Sequence, residues 1–312
     1  MAPQVGFEPT TSRLTVGCST TELLRNMLGR RAYSSGSARV ATGNMRIDII
    51  PVSDPDDPAV AAYRDVRERD LTGREGLFVA EGGVVLRQIV SPASRCRLRS
   101  LLVAESRLDS ISDVIAAAPE GTRIHAASQD VLDRIAGFHL HRGLLGLGEK
   151  PTPVDLDDVL AGSGEDAVVL AAAGVGNHDN IGGLFRNAAA FGAGAVVLDD
   201  RCADPFYRKA IRVSVGAVLR MPSPAPRPLV DTVDALERAG FEIVALTPGA
   251  TEALSSLRPG GRRALLVGAE GPGLPPGIIA RCRGVGIPMS GGFDSLNVAT
   301  AAAVALNQLT RG

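Results

Sequence analysis

The chain has 312 residues, 45% of them hydrophobic and 21% charged, with a formal net charge of −1. This suits a folded globular protein of one large or two ordinary domains, and a charge so near zero excludes polyanion binding through bulk charge alone. No apolar run reaches the roughly 18–20 residues of a membrane span, since Ala167–Val175 and Ala299–Leu306 both fall short.

Trp is absent and aromatics make up 4%, so the core must be built from Ala, Val, Leu and Ile. Among the 33 basic residues only Lys150 and Lys209 are lysine. Arginine forks onto phosphates and stacks on bases, which would suit RNA, but GC-rich coding sequence produces the same bias. Cys18, Cys96, Cys202 and Cys282 lie far apart with no Cys-x-x-Cys, and His125, His139, His141 and His178 lack ligand spacing. We therefore expect no metal site, no disulfide framework and a reducing, cytoplasmic setting.

Residues 1–44 are rich in Ser, Thr, Gly and Arg, with Glu8 and Glu22 the only acids. They read as a disordered or mis-called extension, with Met45 the real start, or as an Arg-rich transit peptide. From Met45 to about residue 150 the pattern predicts a first α/β unit. Its strands fall at Ile47–Val52, Leu77–Ala80, Leu98–Val103, Arg123–Ala126 and Gly143–Gly148. Helices are expected at Ala59–Asp70, Gly83–Val90 and Ser128–Ile135, the last opened by a Ser cap.

Residues 151–165, with Pro151, Pro153, Gly162 and Gly164, read as a linker carrying a short helical piece. A second α/β unit fills residues 166–312. Strands are expected at Ala167–Ala172, Ala195–Leu198, Ala217–Met221, Glu242–Leu246, Ala264–Val267 and Gly284–Ile287, with helices at Ile181–Phe191, Pro205–Arg212, Leu229–Ala239, Pro276–Arg281 and Ser295–Leu309. Continuous apolar strands such as Ala167–Ala172 suit a parallel sheet covered on both faces. The crevice beyond the carboxyl ends of such strands is the default ligand site.

Three segments fall in such positions: Asn177–Ala188, Gly268–Leu274, and Ile287-Pro288-Met289 with Ser295-Leu296-Asn297-Val298. They supply amides, a few carboxylates, one guanidinium and several glycines, but no Cys–His pair. Such a site binds and positions rather than forming covalent intermediates. Asp179 or Asn180 is expected to cap the first helix, and Ser295 or Asp294 the last, with Ser295 and Asn297 projecting from its first turn. Gly182 and Gly183 allow close approach of a backbone or a ligand. Arg186 sits on an otherwise apolar helix and calls for a partner, either a structural salt bridge or a ligand. Gly174-Val175-Gly176 lacks the spacing of a dinucleotide-binding turn, with only Asp199 or Asp200 as the acid, so a nicotinamide enzyme is disfavoured.

Together the segments resemble the SpoU/TrmH family of RNA ribose 2′-O-methyltransferases in the SPOUT superfamily. They match its Asn-x-x-Asn-x-Gly-x-x-x-Arg, Gly-x-Glu-Gly-x-Gly and Ile-Pro-Met…Ser-Leu-Asn-Val motifs in order and spacing. The likeness covers residues 167–312. Residues 70–150 are more weakly similar to the family's small RNA-binding domain, which resembles ribosomal protein L30e, through Gly76–Gly82, Leu101-Leu102-Val103 and His141-Arg142-Gly143.

The resemblance implies a C-terminal trefoil-knotted α/β domain preceded by a small L30e-like α/β domain. It also implies a homodimer acting on rRNA or tRNA with S-adenosylmethionine as methyl donor, without metal or membrane. By this likeness the donor pocket falls on Thr247, Gly268, Glu270, Gly271, Ile287, Met289 and Leu296. The catalytic set falls on Asn180, Arg186, Glu270, Ser295 and Asn297. A guanidinium with a pKa above roughly 12 is a poor base, so Arg186 better suits holding a phosphate and stabilising developing alkoxide. Many relatives have Asp-Pro where this chain has Asn177-His178, and His178 reads as a replacement for that proline or as a proton acceptor. The rival reading is a member that binds RNA but has lost catalysis.

Overall fold

The computed structural model describes residues 38–42, 45–64, 76–291 and 295–310. They form two six-stranded sheets. The first holds β1 (Ala38–Thr42), β2 (Met45–Val52), β3 (Leu77–Glu81), β4 (Arg97–Ala104), β5 (Arg123–Ala127) and β6 (Leu144–Glu149), in the order β1-β2-β5-β4-β6-β3. β5 runs parallel to both neighbours, whereas β1 with β2, β4 with β6 and β3 with β6 are antiparallel. Helices α1 (Gly83–Ile89), α2 (Ser112–Ala117) and α3 (Gln129–Ala136) accompany it.

β1 lies inside the segment read as an extension, and its Ala38 pairs with Ile49. Among the described residues strand pairing is present from Ala38, and residues 1–37 lie outside the described residues. The helix expected at Ala59–Asp70 is a 3-10 turn, Pro58–Tyr63, ending where Arg64 turns extended; residues 65–70 lie outside the described residues.

The second sheet is wholly parallel. It contains β7 (Val168–Ala173), β8 (Val196–Leu198), β9 (Glu242–Leu246), β10 (Glu252–Ala253), β11 (Arg263–Gly268) and β12 (Arg283–Gly286), in the order β10-β12-β9-β11-β7-β8. Alternation along β7 explains its uninterrupted apolar sequence. Val168, Leu170 and Ala172 face one core, packed by α5 (His178–Ala190) and α9 (Val298–Thr310). Val169, Ala171 and Ala173 face another, packed by α4 (Leu156–Ala161), α7 (Leu229–Arg238) and α8 (Pro276–Ile279). Side chains pointing to opposite faces of a strand bury both. Leu156 and Leu160 of α4 are fully buried there, so the expected linker contributes to the second core.

The two units share a continuous core in which Phe78 meets Phe206, ring centroids 5.3 Å apart. Lys150 pairs with Asp204 at 2.7 Å across the same boundary. The strand expected at Ala217–Met221 is instead a 3-10 turn, Ala217–Leu219, launched by Gly216 at φ +81°. A short apolar run does not distinguish a strand from a buried turn. The edge of β8 is taken by the following segment, where Val196 N–H donates to the Pro222 carbonyl and Asp199 pairs through the backbone with Arg227 as an isolated parallel bridge. The helix expected from Pro205 starts at Arg208, as α6 (Arg208–Val213), because Asp204 Oδ1 first accepts from the Phe206 N–H in a turn. Among the described residues no helix is long and apolar enough to cross a membrane.

Candidate active site

The ends of β7, β9, β11 and β12 open on one side of the parallel sheet, and the loops that follow them bring the three segments together. α5 begins directly after β7. Its cap is Asn177, whose Oδ1 accepts from the Asp179 N–H at 2.8 Å, rather than the expected Asp179 or Asn180. That frees both residues for other contacts. Asp179 pairs with Lys209 at 2.6 Å, and Asn180, 5% exposed, turns inward.

Asn180 Nδ2 donates to Glu270 Oε1 at 2.9 Å. Asn297 Nδ2 donates to Asn180 Oδ1 at 2.8 Å and to the same Glu270 oxygen at 3.2 Å. One residue from each segment thus closes a three-membered hydrogen-bond cluster. The carboxylate takes two amide donors, and such charge-assisted bonds are stronger than neutral ones. Asn297 Oδ1 also accepts from Ala299 and Thr300 N–H. Asn297 is therefore the cap of α9, and α9 starts at Val298 rather than Ser295; Asp294 lies outside the described residues. Ser295 and Asn297 precede the helix instead of projecting from its first turn.

A cavity of about 890 Å3 adjoins this cluster. Thr247, Gly268, Glu270, Gly271, Ile287, Met289, Ser295, Leu296 and Asn297 line it, as do Leu246 and, from the Gly268–Leu274 segment, Gly273 and Leu274, which were not among the residues expected in the donor pocket. The loop after β11 folds back on itself, with Gly273 N–H donating to the Ala269 carbonyl at 3.1 Å. Gly271 and Gly273 hold φ of +88° and +64°, which favours glycine. A Cβ at Gly268 would lie 2.6 Å from the Gly273 carbonyl carbon, so the turn closes only over a bare backbone. The pairing of Gly271 with Gly273 around one proline was the available signal for this second arm.

Gly182 and Gly183 serve packing between helices, not ligand approach. A Cβ at Gly182 would lie 2.6 Å from the Ala210 carbonyl of α6, and one at Gly183 would lie 2.7 Å from Ala299 Cβ of α9. Asn187 Nδ2, donating to the Ala299 carbonyl at 2.7 Å, pins the same crossing. Gly182→Ala should accordingly cost about 1–3 kcal/mol of stability through overpacking. Urea unfolding would measure it, and an unchanged midpoint would mean that α6 yields freely.

Arg186 is not brought to the cluster. It is exposed on α5, about 9 Å along the helix and roughly 240° around it from Asn180. Among the described residues no ion pair engages it, so the structural salt bridge offered by its sequence setting does not form. His178, the first residue of α5, stacks on Tyr207 with centroids 4.0 Å apart. Burial holds its pKa below the ordinary imidazole value, and the Lys209 charge lowers it further while Asp204 opposes. It takes a helix position that also suits proline and stands outside the cluster. Asp199, 1% exposed, accepts from Gly174 and Arg201 N–H, which engages the acid a nicotinamide site would need. Among the described residues no group of acidic, His or Cys side chains is placed to hold a metal.

The SpoU rRNA methylase family matches residues 167–307. A protein of Mycobacterium bovis, described as an uncharacterized tRNA/rRNA methyltransferase, is 40% identical over 276 residues, covering 85% of this chain and 93% of that one. A solved RNA 2′-O ribose methyltransferase is similar with a TM-score of 0.70 and 26% identity, over 83% of this chain and 97% of that one. The SpoU methyltransferase AviRb of Streptomyces viridochromogenes, solved in complex with AdoMet, gives 0.66 and 25% over 80% and 94%. The family match spans the unit that builds the cavity, and the mycobacterial relative extends it through the first unit: the chain belongs to the SpoU rRNA methylase family.

Proposed function

We propose that this protein transfers a methyl group from S-adenosylmethionine to a ribose 2′-hydroxyl of structured RNA, rRNA or tRNA. The observation that carries the reading is the Asn180–Glu270–Asn297 cluster at the rim of the cavity. The cavity suits the donor. Leu246, Ile287, Met289 and Leu296 offer apolar walls, and the Gly268–Gly273 turn exposes backbone N–H and C=O groups to recognise a purine edge. The relatives named above point the same way, as RNA methyltransferases and as an AdoMet complex.

Bound there, the donor supplies an electrophilic methyl group on a sulfonium. The protein's part is alignment, an effect worth up to about 7–11 kcal/mol when the reacting atoms are well held. Asn180 and Asn297 fix Glu270 so that its carboxylate keeps one orientation at the rim. The apolar walls exclude water, and Ser295, beside Asn297 on the same loop, orients the acceptor. Arg186 would hold the adjacent phosphate, which takes up the 2′-hydroxyl proton, and would stabilise the alkoxide charge that develops on the oxygen receiving the methyl group.

The family reading also implies a trefoil knot in the second unit and an L30e-like fold in the first. The parallel sheet with its interleaved strand order supports the former, and the mixed sheet with helices α1 to α3 the latter. It further implies a homodimer. Ala189 and Ala190 of α5 and Thr300 and Val304 of α9 leave an outward face of small and apolar side chains exposed. Arg186 lies on α5 with them, which makes it available to the cluster of a second copy.

The test is transfer of labelled methyl from S-adenosylmethionine into unmodified bulk rRNA and tRNA, followed by alkaline hydrolysis. A 2′-O-methyl group removes the nucleophile for cleavage, so label should remain in alkali-resistant dinucleotides. Label released as mononucleotides would mean base methylation. Donor binding without transfer to either RNA would favour a member that binds RNA but does not catalyse.

A further inference from the structure

Phe138 is 44% exposed, and among the described phenylalanines it alone is exposed. It follows Gly137, which ends α3 at φ +77°. Burying such a ring is normally favourable by a few kcal/mol, yet it is left at the surface under a cation from the other unit. The Arg208 guanidinium of α6 lies 4.7 Å from the ring centroid and donates to Glu81 Oε2 at 3.0 Å. Arg212 Nη1 approaches the same oxygen at 3.9 Å. Arg142 packs over Gly82, where an added Cβ would lie 2.9 Å from its Nη1. Lys209, next to Arg208, pairs with Asp179, the residue before Asn180. Among the described residues, the four cations Arg142, Arg208, Lys209 and Arg212 thus lie with the carboxylates of Glu81 and Asp179, to which the last three pair. The nearby Asp133 is engaged by His139 at 2.6 Å. On a molecule of net charge −1 these side chains make a strip that is positive among the described residues, from the start of α5 to Phe138.

We propose that Phe138, with Arg208 laid on one face, is a stacking platform for an unpaired base of the RNA acceptor, whose phosphates run along Arg142, Arg212 and Lys209. This rests on the RNA methyltransferase reading. An arginine that served only to tie the units together needs Glu81 but no exposed ring. A planar guanidinium pre-organises one face of the aromatic and leaves the other for a base, and aromatic stacking of this kind tolerates any sequence. It names a ring and a guanidinium through which the first unit would hold an unpaired base beside the site.

The full-length chain and unmodified bulk rRNA and tRNA test it, with the KM and Kd for RNA, the Kd for S-adenosylmethionine and the melting temperature all measured. Phe138→Ala should raise the KM and Kd for RNA by about tenfold or more, with donor affinity and melting temperature unchanged. Phe138→Tyr should return both to within about twofold, because a ring is restored. Val230→Ala, at an exposed apolar residue of α7, should leave them as in the wild type. Unchanged RNA affinity in Phe138→Ala, or a loss matched by a fall in melting temperature and not restored by Tyr, overturns the platform. If the wild type binds RNA but transfers no methyl group, the enzymatic reading fails, and the Kd comparison still decides the platform. Failure of the wild type to bind either RNA would overturn both.

Discussion

Arg186→Ala should lower methyl transfer by about a hundredfold to a thousandfold, the loss expected when a donor to developing oxyanion charge is removed. The dissociation constant of S-adenosylmethionine should stay within about twofold, because Arg186 does not line the cavity. Stability should hold as well, since the side chain is exposed and no ion pair engages it among the described residues. The distance of Arg186 from the cluster along α5 makes a sharper result available. If the guanidinium serves the site of a second copy, mixing Arg186→Ala with Glu270→Ala should restore activity. Random exchange of subunits in a twofold-symmetric dimer leaves about a quarter of the sites complete, and neither variant alone approaches that rate. A mixture no more active than its components, with subunit exchange verified by labelled chains, would place Arg186 in service of its own subunit. Equal loss of transfer and donor binding in Arg186→Ala would make the residue structural.

Much of this was legible in the chain because parallel sheets write themselves plainly. Val168–Ala173 is apolar at every position since both faces are covered, and glycine-bearing loops follow where such strands end. The meeting of Asn180, Glu270 and Asn297 was foreshadowed only as three loops at one sheet edge. Spacing does not say which amide faces which carboxylate, and that pairing spans 90 and 117 residues of sequence. Capping misled for a related reason. Asn177, Asp179 and Asn180 are all competent caps, as are Ser295 and Asn297, and tertiary contacts decided among them. With Asn180 drawn to Glu270, Asn177 caps α5; Asn297 does both, its Nδ2 reaching Asn180 while its Oδ1 caps α9. Gly182 and Gly183 signalled close approach of a backbone or a ligand, and spacing did not decide between them because the residues they admit, Ala210 of α6 and Ala299 of α9, are far away in sequence. The turn at Ala217–Leu219 shows the opposite limit, since its buried Val218 and Leu219 carry the apolar signal of a strand without strand pairing.

Asn180→Asp is the substitution that should separate geometry from charge within the cluster. It preserves volume and keeps an oxygen for the Asn297 amide, which now bonds to Oδ1 at 2.8 Å. What it removes is the hydrogen donated to Glu270 Oε1 across 2.9 Å. Two carboxylate oxygens at that distance do not both stay ionised, and the pair titrates together with one apparent pKa strongly raised. Near-complete burial of residue 180 adds desolvation in the same direction. A raised carboxyl pKa favours the protonated folded state, so the variant is best formed at low pH and loses the cluster as pH rises through the raised value. Transfer should therefore fall by about a hundredfold at pH 8 and recover to within about tenfold of wild type near pH 5, where a shared proton replaces the amide hydrogen. The measurement is the variant-to-wild-type ratio of kcat/KM from pH 5 to 8.5, with Asn180→Ala as comparison. Alanine has no proton to gain, so its ratio should stay flat and low. A flat ratio for the aspartate variant would show that Glu270 is not held through residue 180 during turnover, and that the cluster is a feature of the resting site alone.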